Sequence, residues 1–374
     1  MSGSTARRNF QLDGLRALAV LAVIAYHAEL STFGQAGMFG VDVFFVLSGF
    51  LITGVLVGER QGRGRISLRR FYLRRLLRLY PALVVMIVVL TPFATKLVLD
   101  GSWATWLKAA AAALTYTSTI ILLFDPTFQL GALGHTWSLA IEEQFYLLWA
   151  PVLALCLIRV RGVRALAGPV AGVAVALMAL FWVLWGSVGP ILYYRPDPRF
   201  GELLLGAALA LLLAGHRGPL TRGWDRAASV GVLVALVGLW WARRTYPSFD
   251  YVSLDNPLAG IPVVAACTAL LIARLATSDR AWLSWALRLP PLPFIGRISY
   301  GLYLWHLPLF ALIGDDVVQL VATFAAATAS FYLVERPFLR RKERLRTTGV
   351  AGLTAADGGV VEAPPAPREP ELVA

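Results

Sequence analysis

Cysteine is almost missing from this chain: there are two, Cys156 and Cys267, and both lie inside apolar stretches. That excludes a disulfide framework and a zinc site, and no metal is expected. Charge is scarce too, at 15% of 374 residues against 58% hydrophobic, with a mean hydropathy of +0.67. Soluble domains carry about a quarter charged residues, so this is the composition of a membrane protein. No cleavable leader is evident, because Arg16 interrupts what would be its apolar core and hydrophobic segments continue to residue 334. No internal repeat is apparent, and no appended soluble catalytic domain is expected. The net charge is +12, yet no solvated basic face with interleaved aromatics lies outside the loops, which excludes a nucleic-acid partner.

What the chain has in abundance is apolar runs of membrane length. They fall near 12–30, 38–58, 79–98, 104–124, 136–158, 165–187, 199–214, 227–243, 257–275, 298–314 and 316–334. Spanning takes about 20 apolar residues. Four connections are basic (Arg60 to Arg78, Arg159 to Arg164, Arg217 to Arg226, Arg274 to Arg297), as is the stretch after Glu335. Positive loops face the cytoplasm, which places these connections and both termini inside. The crossing count then requires one segment not to span, and 104–124 is the expected one. The expected fold is therefore an all-α polytopic membrane protein with about ten transmembrane helices, one re-entrant or interfacial segment and cytoplasmic termini. Residues 1–10 read as a short tail, 11–346 as the membrane domain, and 347–374, rich in Ala, Gly, Pro and Glu, as a disordered cytoplasmic tail.

Ionisable groups inside such helices are costly and mark candidate sites. Arg16 and His27 sit eleven residues apart in the first segment. That spacing puts them within about 20° of one helical face and about 16 Å apart along the axis. With the N-terminus inside, Arg16 lies low and His27 toward the outer side. Asp42 and Ser48 lie in Gly40-Val-Asp-Val-Phe-Phe-Val-Leu-Ser-Gly49. His135, Trp137, Ser138, Glu142 and Glu143 belong to His135-Thr-Trp-Ser-Leu-Ala-Ile-Glu-Glu-Gln-Phe-Tyr146, and Arg199 and Glu202 open a later helix. A histidine beside a carboxylate in a low-dielectric cavity is a minimal kit for activating a hydroxyl, and Glu142 is expected at a depth near His27. The competing reading is that these groups are buried polar pairs locking helices together.

Two further stretches stand out. In Arg69-Arg-Phe-Tyr-Leu-Arg-Arg-Leu-Leu-Arg-Leu-Tyr-Pro81, Arg70, Arg74 and Arg78 repeat every four residues, with Leu68, Tyr72, Leu76 and Leu79 forming an apolar face. The pattern suits an amphipathic helix at the cytoplasmic interface, whose arginine forks meet either phosphates or anionic headgroups. In Gly296-Arg-Ile-Ser-Tyr-Gly-Leu-Tyr-Leu-Trp-His306, Ser299, Tyr303 and His306 share a face, which makes Tyr303 and His306 pocket-lining candidates; Pro308 follows within the same helix. Glu335-Arg-Pro337 is adequately explained as helix termination.

Taken in order, these motifs resemble the acyltransferase-3 family of integral-membrane acyltransferases. The resemblance rests on Arg16-x10-His27, the Gly40–Thr53 stretch, Arg70-Phe-Tyr-x-Arg-Arg-x-x-Arg-x-x-Pro81 and Trp137–Tyr146. It continues through Arg199-Phe-x-Glu-Leu-Leu-x-Gly206, Ile298–His306 and Glu335-Arg-Pro337, so that it covers roughly residues 10–340. Each motif is weak alone, and the ordered set is specific.

The resemblance implies a ten-helix enzyme of the cell membrane. Such an enzyme takes an acyl group, usually acetyl, from cytoplasmic acyl-CoA and passes it to a hydroxyl of a glycan, glycolipid or macrolide. By position, His27 resembles the catalytic histidine, Arg16 its motif partner and Glu142 the essential acidic residue. Arg70, Arg74, Arg75 and Arg78 resemble the basic motif that would meet CoA phosphates. Some relatives carry an added extracellular esterase-like domain, and the short tail here is expected to lack its acceptor contacts. A monomer would contain the whole expected site. The alternative is an exporter of an acylated sugar or metabolite that catalyses nothing; broken helices in two matching halves would favour it, and no such symmetry is visible.

Overall fold

In a computed structural model of the protein, the described residues are 9–28, 37, 39–160, 162–185, 195–216, 223, 226, 229–231, 261–277 and 282–340. Every regular element among them is helical. In order they are α1 (Phe10–His27), α2 (Phe39–Arg63), α3 (Leu68–Leu90), α4 (Trp103–Leu114), α5 (Ser118–Phe124), α6 (Thr136–Arg159) and α7 (Ala167–Trp185). They continue with α8 (Pro196–Leu212), α9 (Ile261–Thr277), α10 (Trp282–Ala286), α11 (Pro291–Arg297), α12 (Ser299–Leu312) and α13 (Asp316–Ser330). A π-helical turn, Phe331–Glu335, extends α13.

The protein is a multi-pass membrane protein. Six stretches among the described residues are long and apolar enough to cross a bilayer: Phe10–His27, Phe39–Arg63, Leu68–Lys96, Thr136–Arg159, Val163–Leu180 and Asp316–Arg340. The expected segments near 199–214, 257–275 and 298–314 form helices of 17, 17 and 14 residues. Residues 1–8 and 341–374, and the expected segment 227–243 apart from 229–231, lie outside the described residues. Segment 104–124 is broken into α4 and α5. Tyr116, at φ 54, turns the chain between them, and Gln144 of α6 holds the turn by donating to the Tyr116 carbonyl at 2.8 Å. A helix of 12 residues covers about 18 Å, well short of a hydrocarbon core of about 30 Å.

The basic stretch departs from expectation. It is no separate interfacial helix: Leu68–Leu90 is one helix with Pro81 inside it. Its arginines turn inward because α2 and α6 supply carboxylates there, and buried cations require such partners. Its apolar side carries exposed Leu73, Leu76 and Val88, suited to lipid contact.

Two buried clusters organise the interior. One joins α1, α2, α6 and α8 through residues such as Val20, Phe45, Ile141 and Leu203; the other joins α3, α4 and α12 through Leu83, Met86, Trp106 and Leu304. The α2–α8 crossing is close because it lacks side chains: a Cβ on Gly49 would strike the Leu203 backbone, and one on Gly206 the Val46 backbone.

Candidate functional site

Arg16, Arg75 and Arg78, from α1 and α3, line one cavity of about 130 Å³ together with Ser48, Ser138, Glu142, Tyr146, Ser299, Tyr300 and Tyr303. Each polar group has a helix to hold it. Arg16 donates to Ser299 Oγ of α12 through Nε at 3.3 Å and Nη2 at 3.1 Å. Glu142 of α6 accepts from Ser48 of α2 at 2.8 Å and from Tyr146, one turn along its own helix, at 3.0 Å. Arg75 sits between the two neighbouring glutamates, 3.5 Å from Glu142 and 3.0 Å from Glu143, with its guanidinium 3.7 Å above the Tyr146 ring. The guanidinium is thus held on three sides in a partly dry setting, where each pairing counts for more than in water.

A second cavity, of about 770 Å³, shares Leu51, Ile52, Val55, Arg75 and Arg78 with the first and runs along α2. Gly54, Gly58 and Gly62 line it at every fourth residue, and a Cβ on any of them would meet nothing within 4 Å. The missing side chains make a smooth trough floored by backbone. Arg63 and Arg74 line the same trough. Glu59 draws Arg63, Arg70 and Arg74 together at 3.6, 3.5 and 3.0 Å. The four expected arginines therefore divide: Arg75 and Arg78 face both cavities, Arg74 faces the trough while paired to Glu59, and Arg70 pairs with Glu59 without lining either cavity. A third cavity, of about 420 Å³, also lined by Arg75, is bounded by Tyr72, Tyr80, Tyr116 and Glu143, so Glu143 faces that cavity instead of the first.

His27 lies in a different polar group. Its Nδ1 is 2.9 Å from the Val23 carbonyl and 3.3 Å from Nε2 of His306, and the His135 ring packs 5.3 Å from that of His306. No hydrogen bond or ion pair among the described residues joins His27 to Glu142, so the expected direct histidine–glutamate contact is not what orients the imidazole. Tyr303 connects the two groups. Its hydroxyl pairs with Ser138 at 2.6 Å at the cavity wall and donates to the His135 carbonyl at 2.9 Å, while its own carbonyl contacts His306 at 2.7 Å.

Asp42, Trp137, Arg199 and Glu202 line none of these cavities. Arg199 Nη1 donates to Asp42 at 2.5 Å and Glu202 at 2.8 Å, and all three side chains are fully buried. The Phe45 and Trp137 rings lie 5.8 and 5.6 Å from the guanidinium. This assembly ties α2 to α8. Sequence reading placed Ser299 on a face with Tyr303 and His306 without giving it a partner, and it missed Glu59 and the glycine trough. The last left a signal, Gly54-x-x-x-Gly58-x-x-x-Gly62, at the spacing that keeps one helix face bare.

A family model described as an acyltransferase domain, that of acyltransferase-3, matches residues 9–334. The chain belongs to the acyltransferase-3 family. The chain is 33% identical over 354 residues to the peptidoglycan O-acetyltransferase OatA of Listeria monocytogenes, covering 87% of this chain and 55% of that one. It is 31% identical over 353 residues to the O-acetyltransferase OatA of Staphylococcus aureus, covering 88% of this chain and 57% of that one. The acyltransferase-3 chain described here thus spans a little over half the length of these relatives. No solved structure matches it.

Proposed function

We propose that this protein is a membrane O-acetyltransferase that moves an acetyl group from cytoplasmic acetyl-CoA to a hydroxyl of a glycan, with His27 as general base. The observation that carries the reading is the pair of joined cavities in which Arg75 and Arg78 line both chambers. The fit to the donor is chemical. A trough with a bare glycine floor and Arg63, Arg74 and Arg78 on its walls accommodates a slender arm with phosphates at one end. Arg16 and Ser299 stand farther along, in the narrower chamber. Ser138 and Tyr303 then lead from that chamber's wall toward the histidines.

In this mechanism the acceptor hydroxyl gives its proton to His27 and its oxygen attacks the acyl carbon. The carbon–sulfur bond breaks, and the departing sulfur takes the proton back from His27. Arg75, 3.5 Å from Glu142, holds that carboxylate in place, so that Ser48 and Tyr146 stay aligned on the cavity wall. Names given to the OatA relatives, peptidoglycan O-acetyltransferase among them, favour a cell-wall glycan as acceptor and the cell membrane as location.

The test is purified protein incubated with acetyl-labelled CoA and a glycan acceptor, scored for thioester loss and for label on the glycan. Both are expected, with His27→Ala abolishing transfer and Arg78→Ala raising the donor KM about tenfold. Full transfer by folded His27→Ala overturns the base. Label reaching the glycan from another activated acetyl donor but never from acetyl-CoA overturns the donor.

A further inference from the structure

The chain has four histidines, and three of them, His27, His135 and His306, meet in one cluster although 279 residues separate the first from the last. Which nitrogen of a histidine carries the proton is set by the partner of the other nitrogen. A carbonyl can only accept. The Val23 carbonyl, 2.9 Å from His27 Nδ1, therefore requires a proton on that nitrogen. The Tyr303 carbonyl, 2.7 Å from His306 Nδ1, requires one there too. A neutral His306 then presents a lone pair at Nε2, and this atom lies 3.3 Å from His27 Nδ1. The His27 N–H is shared between a carbonyl and an imidazole lone pair. Its Nε2 keeps its own lone pair and bonds no described residue.

The His306 ring has no freedom to do otherwise. It is fully buried, with the rings of His135, Tyr303 and Phe310 at 5.3, 5.5 and 6.0 Å. Its Nδ1 is tied to its own helix. Among the described residues no carboxylate bonds any of the three imidazoles, and the side chain that joins the Val23 carbonyl at His27 Nδ1 is another imidazole.

We infer that His306 is a positioning residue: it holds His27 in the Nδ1-protonated tautomer, with the Nε2 lone pair free for the acceptor hydroxyl. It also accepts the Nδ1–H of the imidazolium that forms when that proton arrives. The inference rests on the reading of His27 as the base. The atoms balance without further reactants: the proton leaves the acceptor oxygen for His27 Nε2 and passes to the leaving sulfur, and His306 gains and loses nothing.

The experiment compares His306→Leu with His306→Gln in the full-length protein in detergent. Glutamine reaches the same depth and offers an amide oxygen to His27 Nδ1–H; leucine fills the space without an acceptor. The leucine variant is expected to lose about 100-fold in kcat with the donor KM unchanged, and glutamine to restore most of it, in line with the 10- to 100-fold typical of an orienting partner. In parallel, nitrogen-15 spectra of histidine-labelled protein, with only four rings to assign, are expected to show His27 protonated at Nδ1 in the parent and in the glutamine variant. In the leucine variant they should show mixed tautomers. Wild-type kcat in folded His306→Leu overturns the inference, as does His27 protonated at Nε2 in the parent, a measurement that holds even where the leucine variant fails to fold. Full transfer by His27→Ala would instead remove the base reading beneath it.

Discussion

Two groups in this molecule are built from the same ingredients, one arginine and two carboxylates, and they do opposite things. Asp42–Arg199–Glu202 is sealed, with Asp42, Arg199 and Glu202 at 0% side-chain exposure, and lines none of the three cavities described above. Arg75–Glu142–Glu143 keeps side-chain exposures of 13, 15 and 20% and stands where three cavities meet. The difference is what surrounds the charges. Around Arg199 the space is closed by Phe45, Trp137 and the glycine-thin α2–α8 crossing. Around Arg75 the neighbours are Ser48, Tyr146 and open volume. An ionisable residue inside a membrane helix marks something built on purpose, and only the presence of space beside it distinguishes a lock from a site.

Removing one partner of the lock should give the largest effect. Arg199→Met leaves two carboxylates buried without their cation, a loss of about 3–5 kcal/mol. Thermal unfolding in detergent should show it as a large drop in midpoint. Replacing Asp42, Arg199 and Glu202 together by Leu, Met and Leu should recover most of that loss. A single variant as stable as the parent would break the comparison. Arg75→Gln should invert the pattern: stability nearly kept, and transfer down roughly 100-fold, the usual cost of removing one electrostatic contact from a preorganised site. Equal losses of stability from Arg75→Gln and Arg199→Met would make both groups locks.

Gly58→Leu sharpens the role of the space itself. A Cβ at this position meets nothing within 4 Å, and leucine is a better helix former than glycine by somewhat under about 1 kcal/mol, so folding should hold or improve. The donor KM should rise at least tenfold in steady-state assays. Glu59→Gln should have the smallest effect, a severalfold tightening of donor binding read by titration calorimetry, because Arg63, Arg70 and Arg74 lose a competing anion.

Much of the site was legible as a list. The cost of burying charge picked out Arg16, His27, Asp42, Glu142 and Arg199 from an apolar background, and the four-residue repeat picked out the arginines of α3. Partnership was not legible. Helical periodicity fixes which side of its own helix a residue occupies and is silent about the helix opposite. Arg70 and Arg78 share one face of α3, yet Arg70 meets Glu59 while Arg78 meets a cavity. His27 was expected beside Glu142, at similar depth, and instead touches His306 on α12. Segment 104–124 read as one apolar run, and the break at Tyr116 shows only in its backbone.

The sequence by itself determined a helical membrane protein, the order of its long apolar helices, and which polar residues must be satisfied inside it, because burying an apolar or a charged group has a cost that depends on local composition. The tertiary structure alone decided which of those residues pair off and which face empty space. That is a property of helix crossings set by residues far apart in the chain, such as Gly49 with Leu203 and His27 with His306. For this protein it is what separates Arg75, which lines three cavities, from Arg199, which lines none of those three.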